Sequence, residues 1–78
     1  MISPKQTSAL IFTMEECGEL VRACSKVYRR EIDDKSLSQL TEEAGDVYCM
    51  LQLLVEHNLL SWPAVIERSK IKKAKTVI

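Results

Sequence analysis

Two short acidic stretches hold the residues of this 78-residue chain best suited to chemistry, and one copies the other. Met14 to Leu20 reads MEECGEL, and Thr41 to Val47 reads TEEAGDV. Superposed, Glu15 falls on Glu42, Glu16 on Glu43, Gly18 on Gly45 and Glu19 on Asp46, each at a step of 27 residues. Residues three apart on a helix are neighbours, so Glu16 with Glu19 and Glu43 with Asp46 make two carboxylate pairs. Four carboxylates gathered without a cation would repel one another and raise their own pKa values. A hard divalent cation removes that cost, and Mg²⁺ or Mn²⁺ suits an all-oxygen ligand set. Mg²⁺ keeps waters and shares phosphate oxygens, so the chemistry to expect is hydrolysis of a polyphosphate by a metal-activated water. One such box alone is weak evidence, because glutamates are common on solvated helix faces. Two boxes of equal phase are stronger; the alternative is a coincidental repeat or a relic of internal duplication.

The boxes can meet only if helices position them. Ser3 followed by Pro4 reads as a helix start, and no strong breaker follows until about Arg30. Along it, Leu10, Met14, Cys17, Val21, Cys24 and Tyr28 recur at steps of three and four, a seam made for another helix. Glu31 to Lys35 reads as a polar turn, and Ser36 is the expected cap of a second helix running to about Asn58. The second seam is Leu37, Leu40 or Thr41, Ala44, Val47 or Tyr48, Leu51, and Leu54 or Val55. Asn58 suits the left-handed conformation common just beyond a helix end. Ser61-Trp62-Pro63 opens a third, shorter helix. The fold class is all-α: two long antiparallel helices and a short C-terminal one. In that hairpin the two boxes fall at the same height. Both glycines of the chain lie inside the boxes, where glycine costs about 1 kcal/mol relative to alanine. The expected compensation is that Gly18 and Gly45 let the helices approach closely.

A second apolar strip lies on each long helix: Leu20, Ala23 and Val27 on the first, and Val47, Met50 and Leu54 on the second. A helix apolar on two sides must be covered on two sides, so a homodimer or homotetramer with four-helix cores is expected. The whole chain, 1–78, reads as a single domain of a size that is marginal alone.

Charge is balanced, eleven basic residues against eleven acidic, and points to no particular partner. Five of the basic residues, Arg68, Lys70, Lys72, Lys73 and Lys75, fall in the last eleven positions. This basic end, 68–78, is a candidate either for disorder or for contact with a phosphate-bearing ligand. Cys17, Cys24 and Cys49 are odd in number and helically spaced, which argues against disulfide staples and for a reducing compartment. The N-terminus lacks the pattern of a signal peptide, and no apolar run is long enough to span a bilayer. The expectation is a cytoplasmic protein. His57, the single histidine, cannot make the paired Glu-x-x-His motif of a di-iron bundle and reads as a helix-end residue. Trp62 reads as an apolar plug at the start of the third helix, with stacking on a base as the sharper alternative. Tyr28 and Tyr48 read as core or interface residues. No glycine-rich phosphate loop and no Ser/His or Cys/His arrangement is present.

From Met14 to about Leu60, EECGEL followed by EEAGDV resembles the E-x-x-E … E-x-x-D signature of the MazG-like, all-α nucleotide pyrophosphohydrolases. The resemblance implies that Glu16, Glu19, Glu43 and Asp46 bind Mg²⁺. Glu15 would be the first letter of the extended motif, orienting or deprotonating water, with Glu42 its weaker equivalent. It also implies cleavage of a nucleoside triphosphate to monophosphate and pyrophosphate by dimers or dimers of dimers. Family members commonly meet phosphates with basic residues near the C-terminal end, here Arg68, Lys70, Lys72 and Lys73. Met50, four beyond Asp46, stands where family pockets often place an aromatic residue. A related phosphoribosyl-ATP pyrophosphohydrolase shares similar boxes. From another class, a helical interaction module could bind nucleic acid or an acidic partner through the lysine-rich end; the leading reading implies no nucleic acid.

Overall fold

The computed structural model describes residues 1–29 and 32–78, and among them the fold is three helices with no strand: α1 Pro4–Arg29, α2 Asp34–Glu56 and α3 Trp62–Lys75. The expected end of the first helix near Arg30, and Glu31 of the expected turn, fall outside the described residues. α1 starts with a reciprocal cap. Ser3 Oγ accepts from the Gln6 amide at 3.1 Å while Gln6 Oε1 accepts from the Ser3 amide at 2.9 Å. Pro4 follows in the first turn, where its missing N–H costs nothing.

α2 begins earlier than Ser36, the cap expected from sequence. Asp33 is the N-cap: its Oδ1 accepts from the Ser36 amide at 2.7 Å, and Ser36 Oγ accepts from the Asp33 amide at 3.3 Å. Ser36 is thus the third-position partner of a capping box, and Asp34 and Lys35 of the expected turn are already helical. The bond donated by the Ser36 amide, with the Ser36 hydroxyl beside it, holds the Asp33 carboxyl below the usual carboxylate range. Its capping contribution is present above the ordinary value of 3.8 and fades as pH falls through the lower folded pKa.

At its other end α2 closes with both bonds of a Schellman turn, Asn58 N–H to the Val55 carbonyl at 3.0 Å and Leu59 N–H to the Leu54 carbonyl at 2.9 Å. Asn58 takes the left-handed conformation, φ 63°, one residue beyond the C-cap His57. The His57 carbonyl accepts from Gln6 Nε2 at 2.8 Å, which ties the start of α1 to the end of α2. Ser61 caps α3, with Pro63 in its first turn.

The contact between α1 and α2 follows two parallel lines. On α1 these are Ala9, Thr13, Glu16, Leu20, Ala23 and Val27, all buried or half-buried. On α2 they are Ser36, Leu40, Glu43, Val47, Met50 and Leu54, again buried or half-buried. Each member of the first line maps onto the second at the same step of 27 that relates the acidic boxes. The α1 seam expected from sequence is therefore corrected. Of its members only Leu10 is half-buried, while Met14, Cys17, Val21, Cys24 and Tyr28 are exposed. The packed strip is the one holding Leu20, Ala23 and Val27. Small side chains decide it, since Ala9 and Ala23 are the most completely buried positions on the helix and admit α2 closely. On α2, Leu40, Val47, Leu51 and Leu54 are turned in as expected, while Leu37, Ala44 and Tyr48 are exposed.

The glycines are a second correction. A Cβ built on Gly18 or Gly45 would meet nothing within 4 Å, so neither glycine is needed for the helices to approach. Each follows an inward glutamate by two residues, roughly 200° around the helix, and so faces solvent. In the chain kept monomeric by dilution, Gly18→Ala and Gly45→Ala should each raise stability by about 1 kcal/mol, seen as a higher melting temperature by circular dichroism. A lower melting temperature would mean that another surface covers these positions.

α3 has no buried residue and meets the hairpin through its first turn, where Trp62 packs edge-on against Tyr48 with ring centroids 5.8 Å apart. The basic end is helical as far as Lys75. No helix among the described residues is long and apolar enough to cross a membrane. Cys17, Cys24 and Cys49 are free thiols.

Candidate metal centre

Because Glu16 and Glu43 belong to the two inward lines, hairpin packing forces both carboxylates into the contact between α1 and α2. Asp46 stands one turn beyond Glu43 on the same helix. Glu16, Glu43 and Asp46 each present one oxygen to a common point, all within 4.8 Å of one another. Glu43 Oε2 is shut off from water and has no hydrogen-bond partner. Its carboxyl is pushed above the usual range, first by burial and then by the charges of Glu19, Asp46, Glu16 and Glu42.

Of the remaining acids, Glu19 lies outside this group of three. Its carboxylate is engaged by the Arg22 guanidinium, one turn further along α1. It is still close enough to be the strongest single charge acting on Glu43. Glu15 and Glu42, each one residue from an inward glutamate, are exposed. Arg68, Lys70, Lys72 and Lys73 are exposed on α3, and no ion pair among the described residues joins them to any acid. α3 is anchored through Tyr48, which follows Asp46 by two residues and so points roughly to the opposite side of α2.

Arg22, which engages Glu19, is a residue of the site that the acidic boxes do not signal, although its place three residues beyond Glu19 is an ion-pair spacing legible in the sequence.

The donor set consists of carboxylate oxygens alone, one buried and unpartnered, in a cluster whose charges oppose each other. Such a set fits a hard divalent cation and is poorly suited to a soft metal, which would call for sulfur or imidazole. Fold and site together define an all-α helical-hairpin domain with an acidic centre of this kind. The chain belongs to the MazG nucleotide pyrophosphohydrolase domain family, whose model matches residues 5–75. No curated protein and no solved structure gives a significant match.

Proposed function

We propose that this chain is a nucleoside triphosphate pyrophosphohydrolase of the cytoplasm, acting with Mg²⁺, or Mn²⁺ in its place. The observation that carries the reading is Glu43, an inward carboxylate with one orphaned oxygen surrounded by like charge. Natural packing would place a leucine there if stability were the only demand. Glu16, Glu43 and Asp46 would hold the cation, with Glu19 joining them. When bound, the cation supplies charge neutralisation at the phosphates and makes water a better nucleophile at neutral pH. Glu15 is exposed beside this group and is assigned to orient the attacking water and accept its proton. The water oxygen bonds to the α phosphorus, and the oxygen bridging to the β phosphate leaves with pyrophosphate. The products are the monophosphate and pyrophosphate.

The assembly proposed is a homodimer or homotetramer. Met14, Val21 and Tyr28 on α1 and Leu37 and Tyr48 on α2 are exposed hydrophobic residues off the inward lines, and a second copy would cover them. In that assembly Arg68, Lys70, Lys72 and Lys73 would meet phosphates bound by a neighbouring subunit. A monomeric mass by light scattering at working concentration would refute this arrangement.

The direct test is pyrophosphate release from a panel of nucleoside triphosphates with and without Mg²⁺. Turnover that requires the cation is the expected result, and no turnover on any triphosphate would overturn the reading. Mg²⁺ should also raise the melting temperature, by about 2.7 kcal/mol of stability at a hundred times its dissociation constant, because it binds only the assembled cluster. A melting curve unchanged by millimolar Mg²⁺ would count against the centre.

A further inference from the structure

A row of cations runs along α1 directly from the acidic centre. Glu19, Arg22, Lys26 and Arg29 follow one another at steps of three, four and three, which places them on one stripe of the helix. Arg22 engages Glu19, the only ion pair among the described residues. Lys26 Nζ donates to Gln39 Oε1 across the hairpin at 3.5 Å, and Arg29 Nε donates to the Ser25 carbonyl at 3.4 Å. Neither Lys26 nor Arg29 has a carboxylate partner among the described residues.

The side of the hairpin on which this row lies follows from α2. Gln39 and Asp46 are seven residues apart, two turns, and so share one side of that helix. One touches Lys26 and the other belongs to the carboxylate group. The acidic centre and Lys26 therefore line the same long edge. From Glu19 to Lys26 that edge covers about 10 Å. Beyond Lys26 it opens into a cavity of about 240 Å³ lined by Lys26, Asp33, Lys35, Ser36 and Gln39.

We propose that Arg22 and Lys26 form the track for the β and γ phosphates, the pair that leaves as pyrophosphate, within the same subunit that holds the cation. The proposal rests on the pyrophosphohydrolase reading above. In the free chain Arg22 is occupied by Glu19, and both side chains remain well exposed, 70% and 46%. A divalent cation at the centre competes for Glu19 and releases a guanidinium whose fork matches phosphate oxygens bidentately. Lys26, one turn on, adds a point charge. The α3 cations serve a neighbouring subunit, whereas this pair needs no second copy.

The test compares Arg22→Ala, Arg22→Gln, Lys26→Ala and, as a charge control, Lys5→Ala, which lies about 16 Å along α1 from Glu16. Calorimetry would measure binding of an α,β-methylene triphosphate analogue with Mg²⁺, of pyrophosphate with Mg²⁺, and of a nucleoside monophosphate. A thermal scan with Mg²⁺ alone reports on the cation. Arg22→Ala and Lys26→Ala should each weaken the analogue and pyrophosphate by about tenfold or more, the worth of a charge-assisted bond, and leave the monophosphate unchanged. The Mg²⁺ shift should persist in Lys26→Ala and grow in Arg22→Ala and Arg22→Gln, since their Glu19 is free. An exposed ion pair with a purely structural role would move none of these affinities. Wild-type affinities in the α1 variants, or an equal loss in Lys5→Ala, would overturn the track while leaving the enzyme reading intact. Failure of the wild-type chain to bind the analogue in Mg²⁺ would refute the enzyme reading itself, and the track with it.

Discussion

Glu43→Gln is expected to abolish pyrophosphate release and, in the same protein, to raise the melting temperature of the metal-free chain. Both effects have one cause. The carboxylate stands in the contact between α1 and α2 with an oxygen that nothing satisfies, under the fields of Glu19, Asp46, Glu16 and Glu42. Glutamine keeps the shape and removes the charge. The loss of activity should exceed the ~100-fold typical of removing an outer partner of a metal ligand. The stabilisation should depend on pH in a definite direction. A carboxyl raised above its ordinary value of 4.5 binds its proton more tightly folded than unfolded, so its cost is absent below that value. The cost is complete once pH has passed the folded pKa, and stability falls as pH rises between the two. Wild type and Glu43→Gln should therefore melt most alike in acid and differ most at neutral pH, and Mg²⁺ should raise the melting temperature of wild type alone. Equal melting curves at neutral pH without metal would show that Glu43 carries no electrostatic burden.

Leu54→Ala is expected to leave the chain largely unfolded at room temperature. Among the described residues Leu54 is the one large side chain in the buried core, 7% exposed, and its companions there, Ala9 and Ala23, are small. Truncating a buried leucine costs about 2–5 kcal/mol. Total stabilities of domains begin near 5 kcal/mol, and a chain this short sits at the low end. The far-ultraviolet helical signal and its cooperative melt should both be lost, and Mg²⁺ should recover only part of them. Leu54→Met, which nearly conserves volume, should cost less than about 1.5 kcal/mol and serves as the matched control. A cooperative melt in Leu54→Ala close to that of wild type would mean that contacts outside this chain carry the stability.

Much of this architecture could be read before any coordinates. Ser3 with Pro4, Asn58, and Ser61 with Pro63 punctuate the chain with local chemistry, and local chemistry survives folding. The likeness of the acidic boxes likewise carries over, because the same steps of three and four recur along both inward lines.

What misled was choice between equivalents. α1 carries two stripes at helical spacing, and hydrophobic strength favours the one with Met14, Val21 and Tyr28. Packing favours the one with Ala9 and Ala23, because close approach rewards small side chains that a hydropathy pattern undervalues. Asp33 and Ser36 are both good caps, and only the reciprocal bonding of a box decides between them. The cost of a helical glycine argues for a place in the contact, yet Gly18 and Gly45 stand two residues beyond Glu16 and Glu43, nearly the far side of each helix.

The clasp from Gln6 to the His57 carbonyl has a consequence for how the two rods behave in time. At one end of the hairpin the backbone itself joins them, and at the other this bond closes the contact just beyond Ala9 and Leu54. The two acidic turns sit midway, where splaying from the clasped end would pull them apart only after the clasp has let go. A cation held there would brace, from a second point, the same opening motion that this remote bond resists, and loosening either one should make the other easier to lose.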